Sequence, residues 1–414
     1  MQGNPKVTLI ERCLSCGSDE LDNIISFGET PIADHLLEEG ELGLEEIKAP
    51  LDLQYCRQCS LVQLGQSLDP GWMFDDSYPY FSSVTKSLLE HSKKTVTELI
   101  KQQGLDENSL VVEIACNDGY LLQYFQQASV PVLGIDPSPR QSQQAKEKGI
   151  EVLSRFFNKE LASTLLGQGR QADVIIANNV LAHVPELNDF VAGIACLLAE
   201  NGLLSIEVPY VVDLVENLEF DTVYHQHLCY FSVTALDLLF RRHGLYINNL
   251  CKLSIHGGSL RVYVGKQGHV SQIVRDYLFR EQALGVGQFS YYLNFARGVR
   301  ERRQKLVQLL SKLKYKGSRI AAYGAAAKGN TLLSYCGIGK DIIDYVVDRN
   351  PHKQGLFMSG SCLPIYPVEY LCEDQPDFVL LLAWNISEEV LKQQMDYRKQ
   401  GGSFILPVPD IKII

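Results

Sequence analysis

Cys13 and Cys16, and again Cys56 and Cys59, stand as two C-x2-C pairs near the start of the chain. Two thiolates at that spacing close on one tetrahedral zinc ion, and two such pairs supply all four of its ligands. Four protein ligands leave no open coordination position, so the implied zinc is structural rather than catalytic. The competing reading is a redox pair or two disulfides, but paired C-x2-C knuckles in a reducing compartment are usually metal sites. The spacer from Gly17 to Tyr55 is longer than a compact zinc ribbon uses. Two short strands or a β-meander must fill it, and the run Asp52 to Leu64, centred on Cys56-Arg57-Gln58-Cys59, reads as the hairpin that carries the second knuckle.

A second constellation begins at Glu113-Ile114-Ala115-Cys116-Asn117-Asp118-Gly119. Small or turn-forming residues fall at every second position after the acid, which brings a backbone close to a ligand beside a helix N-terminus. Asp136 ends the following strand, where a carboxylate takes the two hydroxyls of a ribose. Together they suggest an adenosine-containing cofactor. The turn does not fit G-x-G-x-x-G, so S-adenosylmethionine is favoured over a nicotinamide dinucleotide, which needs a pyrophosphate cradle. Cofactor contacts are expected from Ala115, Cys116, Asn117, Asp118, Gly119, Asp136 and Asn178.

Histidines supply the third signal. Asn178-Asn179-Val180-Leu181-Ala182-His183 places His183 just beyond a strand's carboxyl end, where α/β sheets bind ligands. Further on, Tyr224-His225-Gln226-His227 sets two histidines and a tyrosine into a short polar loop closed by Tyr230. A lone histidine is more often a satisfied core residue. A cluster of this kind suits general acid/base work, and no nearby carboxylate or cysteine pattern completes a metal site around it.

These residues need elements to hold them. Thr85 to Gln103 has a helical period; Leu110 to Ala115, Val130 to Ile135, Ala172 to Asn178 and Gly202 to Val208 read as strands, the third with the nearly continuous apolar run of a parallel strand buried on both faces. Strand, helix, strand, repeated, is the pattern of a doubly wound α/β domain. It recurs downstream: a long helix from about Ser290 to Lys314, then strands at Arg319 to Tyr323, Ile342 to Val347, Phe378 to Ala383 and Ser403 to Leu406. Between the two patterns lies a His256-Gly257-Gly258-Ser259 turn followed by an alternating strand from Leu260 to Val264.

Length and composition bound the rest. A chain of 414 residues is too long for one ordinary core. The other seven of its 11 cysteines lie scattered in mostly apolar runs, as buried free thiols do. No run approaches the roughly 18 apolar residues of a membrane span, and no signal-peptide pattern opens the chain. The expectation is a soluble, cytoplasmic monomer. A net charge of −11 disfavours a nucleic-acid surface, which needs clustered Lys and Arg.

The order of the cysteine knuckles, Tyr78-Pro79-Tyr80-Phe81-Ser82-Ser83, the Glu113 turn, Asn178 to Pro185, the Tyr224 to His227 loop, His256 to Ser259, and Tyr323-Gly324-Ala325-Ala326-Ala327-Lys328-Gly329-Asn330 resembles the three-domain sugar C-methyltransferases over essentially the whole chain. The resemblance implies an α/β architecture: an N-terminal zinc-binding module (1–75), a middle class I S-adenosylmethionine methyltransferase domain of Rossmann-like fold (76–245), and a C-terminal Rossmann-like domain (246–414) for a nucleotide-linked 4-keto sugar. It implies methylation at C3 of a 4-keto-6-deoxy sugar through an enolate. His227 is then the base, Tyr224 orients it or shares the enolate, His183 sits by the keto oxygen, and Tyr78, or Tyr80 in its place, closes the pocket. Substrate contacts are expected from His225, His256, Ser259, Arg261, Lys328 and Asn330.

Two departures stand out. The family usually carries glutamate where this chain has Gln226, which is read as a substrate contact at the active site, so a glutamate there is expected to be tolerated. Ala115 and Cys116 replace the usual glycine and serine. Two other functions remain open on the sequence: a nicotinamide-dependent oxidoreductase, from the Gly324 turn with Asp348 ending the next strand, and a catalytically inactive zinc- and cofactor-binding homologue. The glycine spacing is wrong for the first, and Lys328 with the helix amides suits a diphosphate as well.

Overall fold

Alternation along Lys48–Cys56 puts Ala49, Leu51, Leu53 and Tyr55 on one buried face. The strand pairs antiparallel with Leu21–Pro31 on one side and Val62–Leu64 on the other, so a long hairpin and its continuation fill the spacer between the cysteine pairs. The computed structural model describes residues 6–74, 78, 80–84, 86–253 and 258–414. The fourth strand of this sheet comes from far along the chain: Cys229–Tyr230, just after the histidine loop, pairs with Val62 and Gln63. The zinc module and the middle domain are therefore joined by a shared sheet and a continuous apolar core.

The central sheet has seven strands in the spatial order Tyr246–Leu253, Ser259–Gly265, Leu198–Pro209, Ala172–Asn178, Val111–Ile114, Val132–Ile135, Val152–Leu153. Ser259–Gly265 runs antiparallel to both its neighbours, and the other pairs are parallel. Chain order reverses between Val111–Ile114 and Ala172–Asn178. That switch point opens a crevice at the strands' carboxyl ends, and the Glu113 turn and the His183 loop leave the sheet on either side of it. The expected boundary at residue 246 needs correction, because Tyr246–Leu253 and Ser259–Gly265 complete the central sheet instead of starting the third domain. An alternating apolar pattern specifies a half-buried strand; it does not say which sheet receives it.

After the helices Gln272–Leu284 and Phe289–Tyr315, a second sheet follows the order Ile365–Tyr366, Val346–Val347, Ile320–Tyr323, Phe378–Leu381, Ser403–Leu406, Lys412–Ile413, parallel except for the last pair. Among the described residues, no helix is long and apolar enough to cross a membrane.

Candidate functional site

The sulfur atoms of Cys13, Cys16, Cys56 and Cys59 all lie within 4.8 Å of one another. Four thiolates at about 2.3 Å from a tetrahedral zinc stand roughly 3.8 Å apart, so the cluster fits that ion. Cys13, Cys56 and Cys59 are buried, which leaves the metal closed to substrate.

At the switch point, a cavity of about 560 Å³ is lined from three directions: the zinc module's end through Asp69 and Phe74, the segment carrying Tyr78, Tyr80 and Ser82, and the central sheet's loops. The Glu113 turn reaches it by an unusual backbone path. Ala115, Asn117 and Gly119 have φ of 61°, 50° and 74°, so alternate residues take the left-handed conformation. That costs on the order of 1 kcal/mol at a residue with a Cβ, and such strain collects at functional sites. Gly119 is required for a further reason: a Cβ there would come within 2.4 Å of Ile150.

Of the turn residues, Ala115 and Asn117 face the cavity along with Asp136 and Asn178. Cys116, Asp118 and Gly119 support the turn from behind; Cys116 packs against Gly134, and Asp118 accepts hydrogen bonds from Ser83. Asp136 accepts the backbone amides of Asn117 and Ser138 at 2.8 Å each. Burial pushes its carboxyl above the usual range, while those amides pull it back. Each oxygen keeps a lone pair for a hydroxyl. The carbonyl oxygen of the Asn178 side chain is buried with no partner among the described residues. An adenosine-bearing cofactor fits this set: a backbone cradle, a carboxylate and an unspent acceptor.

Tyr78 and Tyr80 both line the cavity. Gln141, on the helix Pro139–Glu147, donates its amide to the Tyr78 carbonyl at 3.0 Å and to the Tyr80 carbonyl at 3.1 Å. Asn117 accepts the Ser82 amide at 2.9 Å. Sequence reasoning missed Gln141, because a glutamine in a polar helix gives no local sign of a partner sixty residues back. It also missed Phe157, Asn158 and Phe190, which wall the cavity; their place after the short strand Val152–Leu153 or on the adjacent helix was the available signal.

His183 lines the cavity from the turn Leu181–His183, and its ring meets that of His227 at 4.9 Å between centroids, edge to face. Burial pulls its pKa down to about 4, against backbone carbonyls of Gln226 and Asn179. Tyr224 places its hydroxyl 2.8 Å from His227 Nε2, and burial raises both the Tyr224 and Tyr78 phenols well above the usual range. His183, Tyr224 and His227 thus converge at the cavity's edge, where Tyr78 also lies.

Of the other expected contacts, those described hold partners within the protein. His225 is 2% exposed, with Nε2 3.2 Å from the carbonyls of Ala49 and Pro50, so it pins the loop to the zinc module. Gln226 donates its amide to the Ala33 carbonyl at 2.8 Å in a buried position, a bond that an ionised glutamate cannot make. Arg261, 3% exposed, forms a buried ion pair with Glu207 at 2.5 Å and donates to Thr95. Ser259 is a buried ladder residue between Pro209 and Leu253. Lys328 donates to Asn385 at 2.8 Å, and Asn330 donates to Ser359 at 2.9 Å. His256 lies outside the described residues.

A Cβ on Gly324 would come within 2.8 Å of Ala383 and one on Gly329 within 3.0 Å of Leu382, so packing alone accounts for both glycines. Asp348 accepts the amides of Ala325 and Asn350, each at 2.7 Å.

Family models match most of the chain: a zinc binding domain at residues 13–74, a methyltransferase domain at 88–250 and a C-methyltransferase C-terminal domain at 254–409. The chain is 33% identical over 408 residues to C-methyltransferase NovU of Streptomyces niveus, covering 98% of this chain and 97% of that protein. A stretch of 101 residues, 24% of this chain, is 27% identical to 41% of the ubiquinone biosynthesis O-methyltransferase of Bartonella quintana (strain Toulouse). Among solved structures, magnesium protoporphyrin IX methyltransferase (ChlM) of Synechocystis PCC 6803 with bound SAH aligns at 17% identity and a TM-score of 0.35, over 43% of this chain and 83% of that one. S-adenosylmethionine is the cofactor of the methyltransferase domain, and zinc is the metal of the four-cysteine cluster.

Proposed function

The chain belongs to the C-methyltransferases, and from that premise we propose that it methylates C3 of a nucleotide-linked 4-keto-6-deoxy sugar, with a thymidine or guanosine carrier, by way of an enolate. A sugar carbon becomes a nucleophile only as a carbanion. A ketone at C4 makes that accessible, because loss of the C3 proton gives an enolate. Ala115, Asn117, Asp136 and Asn178 hold the cofactor, which supplies an electrophilic methyl when bound. The remaining work falls to three tasks: removing the proton, holding the enolate oxygen and keeping both centres in line.

His227 is the base. In this reading Tyr224 donates its hydroxyl to Nε2, 2.8 Å away, so the lone pair of that nitrogen is the one that takes the C3 proton. The entering sugar takes that position, and the freed phenol donates to the enolate oxygen instead. Tyr224 suits this exchange because burial keeps its proton on well beyond neutral pH. His183, held neutral by burial, offers a ring nitrogen to the same oxygen without adding charge. Tyr78 covers the reacting face and limits water.

The observation that carries this reading is the 2.8 Å contact between Tyr224 and His227, with His183 bridging it to the cofactor cavity. The test is to offer nucleotide-linked 4-keto-6-deoxy sugars with S-adenosylmethionine and follow the product's mass. A gain of one methyl at C3 is expected; no gain across thymidine and guanosine carriers overturns it.

A further inference from the structure

Between Val223 and Leu228 the backbone belongs to neither helix nor strand, although Tyr224 and His227 lie on it. A segment without its own ladder takes its position from whatever grips its polar groups. The zinc module grips one side, through His225 and Gln226. The third domain grips the other side at two points. Thr331, on the helix Ala327–Cys336, donates its hydroxyl to the Val223 carbonyl at 2.7 Å, one residue ahead of Tyr224. Trp384 donates its indole N–H to Asp221 at 2.6 Å.

Asp221 heads the loop from the turn Phe220–Thr222 and is wholly buried. Its other carboxylate oxygen has no hydrogen-bond partner among the described residues. Lys328 stands 4.6 Å above the Trp384 ring and supplies the nearby positive charge. Burial raises the Asp221 carboxyl to about 6, and the Lys328 ammonium opposes that rise. The carboxylate is thus held by the Trp384 donor and by the positive charges of Lys328 and, more weakly, Arg302, all from the third domain. A charge-assisted bond in so dry a place has little freedom to lengthen.

We propose that Trp384 is a positioning residue of the methyl-transfer site: with Thr331, it holds Asp221 and Val223 so that Tyr224 and His227 meet at the angle that proton removal needs. The inference rests on the reading of His227 as the base. It gives the third domain a part in catalysis separate from substrate binding. Trp384 bonds the head of the loop and is not among the residues lining the cofactor cavity, so its influence passes through the loop.

The test uses Trp384→Phe, which keeps a ring under Lys328 but removes the N–H, and Thr331→Val, which removes the hydroxyl at nearly constant volume. In each full-length variant, exchange of the sugar's C3 proton with D₂O is measured against pH and normalised to S-adenosylhomocysteine binding sites. The expected result is a fall of about tenfold to a hundredfold per site in both exchange and methyl transfer, the scale set by small misplacements of a reacting group. S-adenosylhomocysteine affinity should not change. The acid limb of the exchange profile should move as well, because the rings of Tyr224, Tyr230 and His183 surround the base, and its place among them changes. A role in folding alone would lower the number of binding sites and leave the limb where it was, which overturns the proposal. If Trp384→Phe does not fold, Thr331→Val decides the matter. Per-site exchange within about twofold of the unaltered enzyme removes this inference alone. No exchange in the unaltered enzyme with any sugar removes the proposed reaction and this inference together.

Discussion

The Gln226 amide reaches across to the Ala33 carbonyl at 2.8 Å and ties the histidine loop to the zinc module. Gln226→Glu should therefore not be neutral, contrary to the expectation from the family's usual residue. Only a protonated glutamic acid can donate that bond, so its folded pKa should rise above the unfolded value of about 4.3. The bond's contribution is then present below that value and lost as pH climbs through the raised one. The variant should be destabilised by roughly 1–3 kcal/mol at pH 8 and by less at pH 4. Urea unfolding at both pH values checks this; no deficit at pH 8 would refute it.

The four cysteines should hold one zinc per chain, measurable by elemental analysis of freshly purified protein. Cys56→Ser should lose solubility before it loses activity, because Cys56 is wholly buried and the metal's binding energy is folding energy. Protein free of zinc but fully folded would contradict the assignment.

Asp136→Ala should weaken S-adenosylhomocysteine by roughly 1.5–3 kcal/mol, the loss expected for hydrogen bonds to a charged group. Asp136→Asn should lose less, since its remaining carbonyl oxygen can still accept one of the two amides that Asp136 now accepts. Calorimetry distinguishes the two, and equal affinity in all three proteins would place the ribose elsewhere.

His183 should stay neutral throughout the working range, because burial lowers its pKa to about 4. A depressed folded value means that the unfolded chain binds the extra proton first. Stability from this residue is therefore complete above about pH 6.5 and is lost as pH falls toward 4, by up to about 3 kcal/mol. NMR titration of its ring protons should show no midpoint near 6.5; a midpoint there would mean the ring is solvated.

His227→Asn should abolish methyl transfer and also exchange of the sugar's C3 proton, while cofactor and sugar nucleotide still bind. Proton removal precedes methyl transfer, so loss of the base stops the earlier step. A variant that only displaces the cofactor, such as Asp136→Ala, should retain exchange. Substantial exchange in His227→Asn would pass the role to Tyr224 or His183.

What the sequence determined by itself is what depends on neighbours along the chain. C-x2-C spacing specifies a metal knuckle, because two thiolates three residues apart can share an ion whatever surrounds them. The run Ala172 to Asn178 specifies a strand buried on both faces, and Glu113 to Gly119 a turn of small and turn-forming residues, because period and side-chain size act locally. Polar side chains are different: their partners are chosen by folding. His225 finds carbonyls 175 and 176 residues away, Gln226 one at 193, and Asp221 an indole at 163. No spacing rule reaches so far. Only the tertiary structure decided that His225 and Arg261 serve the framework, that Ser259–Gly265 completes the central sheet, and that Tyr224 and His227 meet beside His183. The physical reason is the cost of burial. A polar group removed from water must bond to whatever the packed chain brings within reach, and that is settled by how the three domains close on one another.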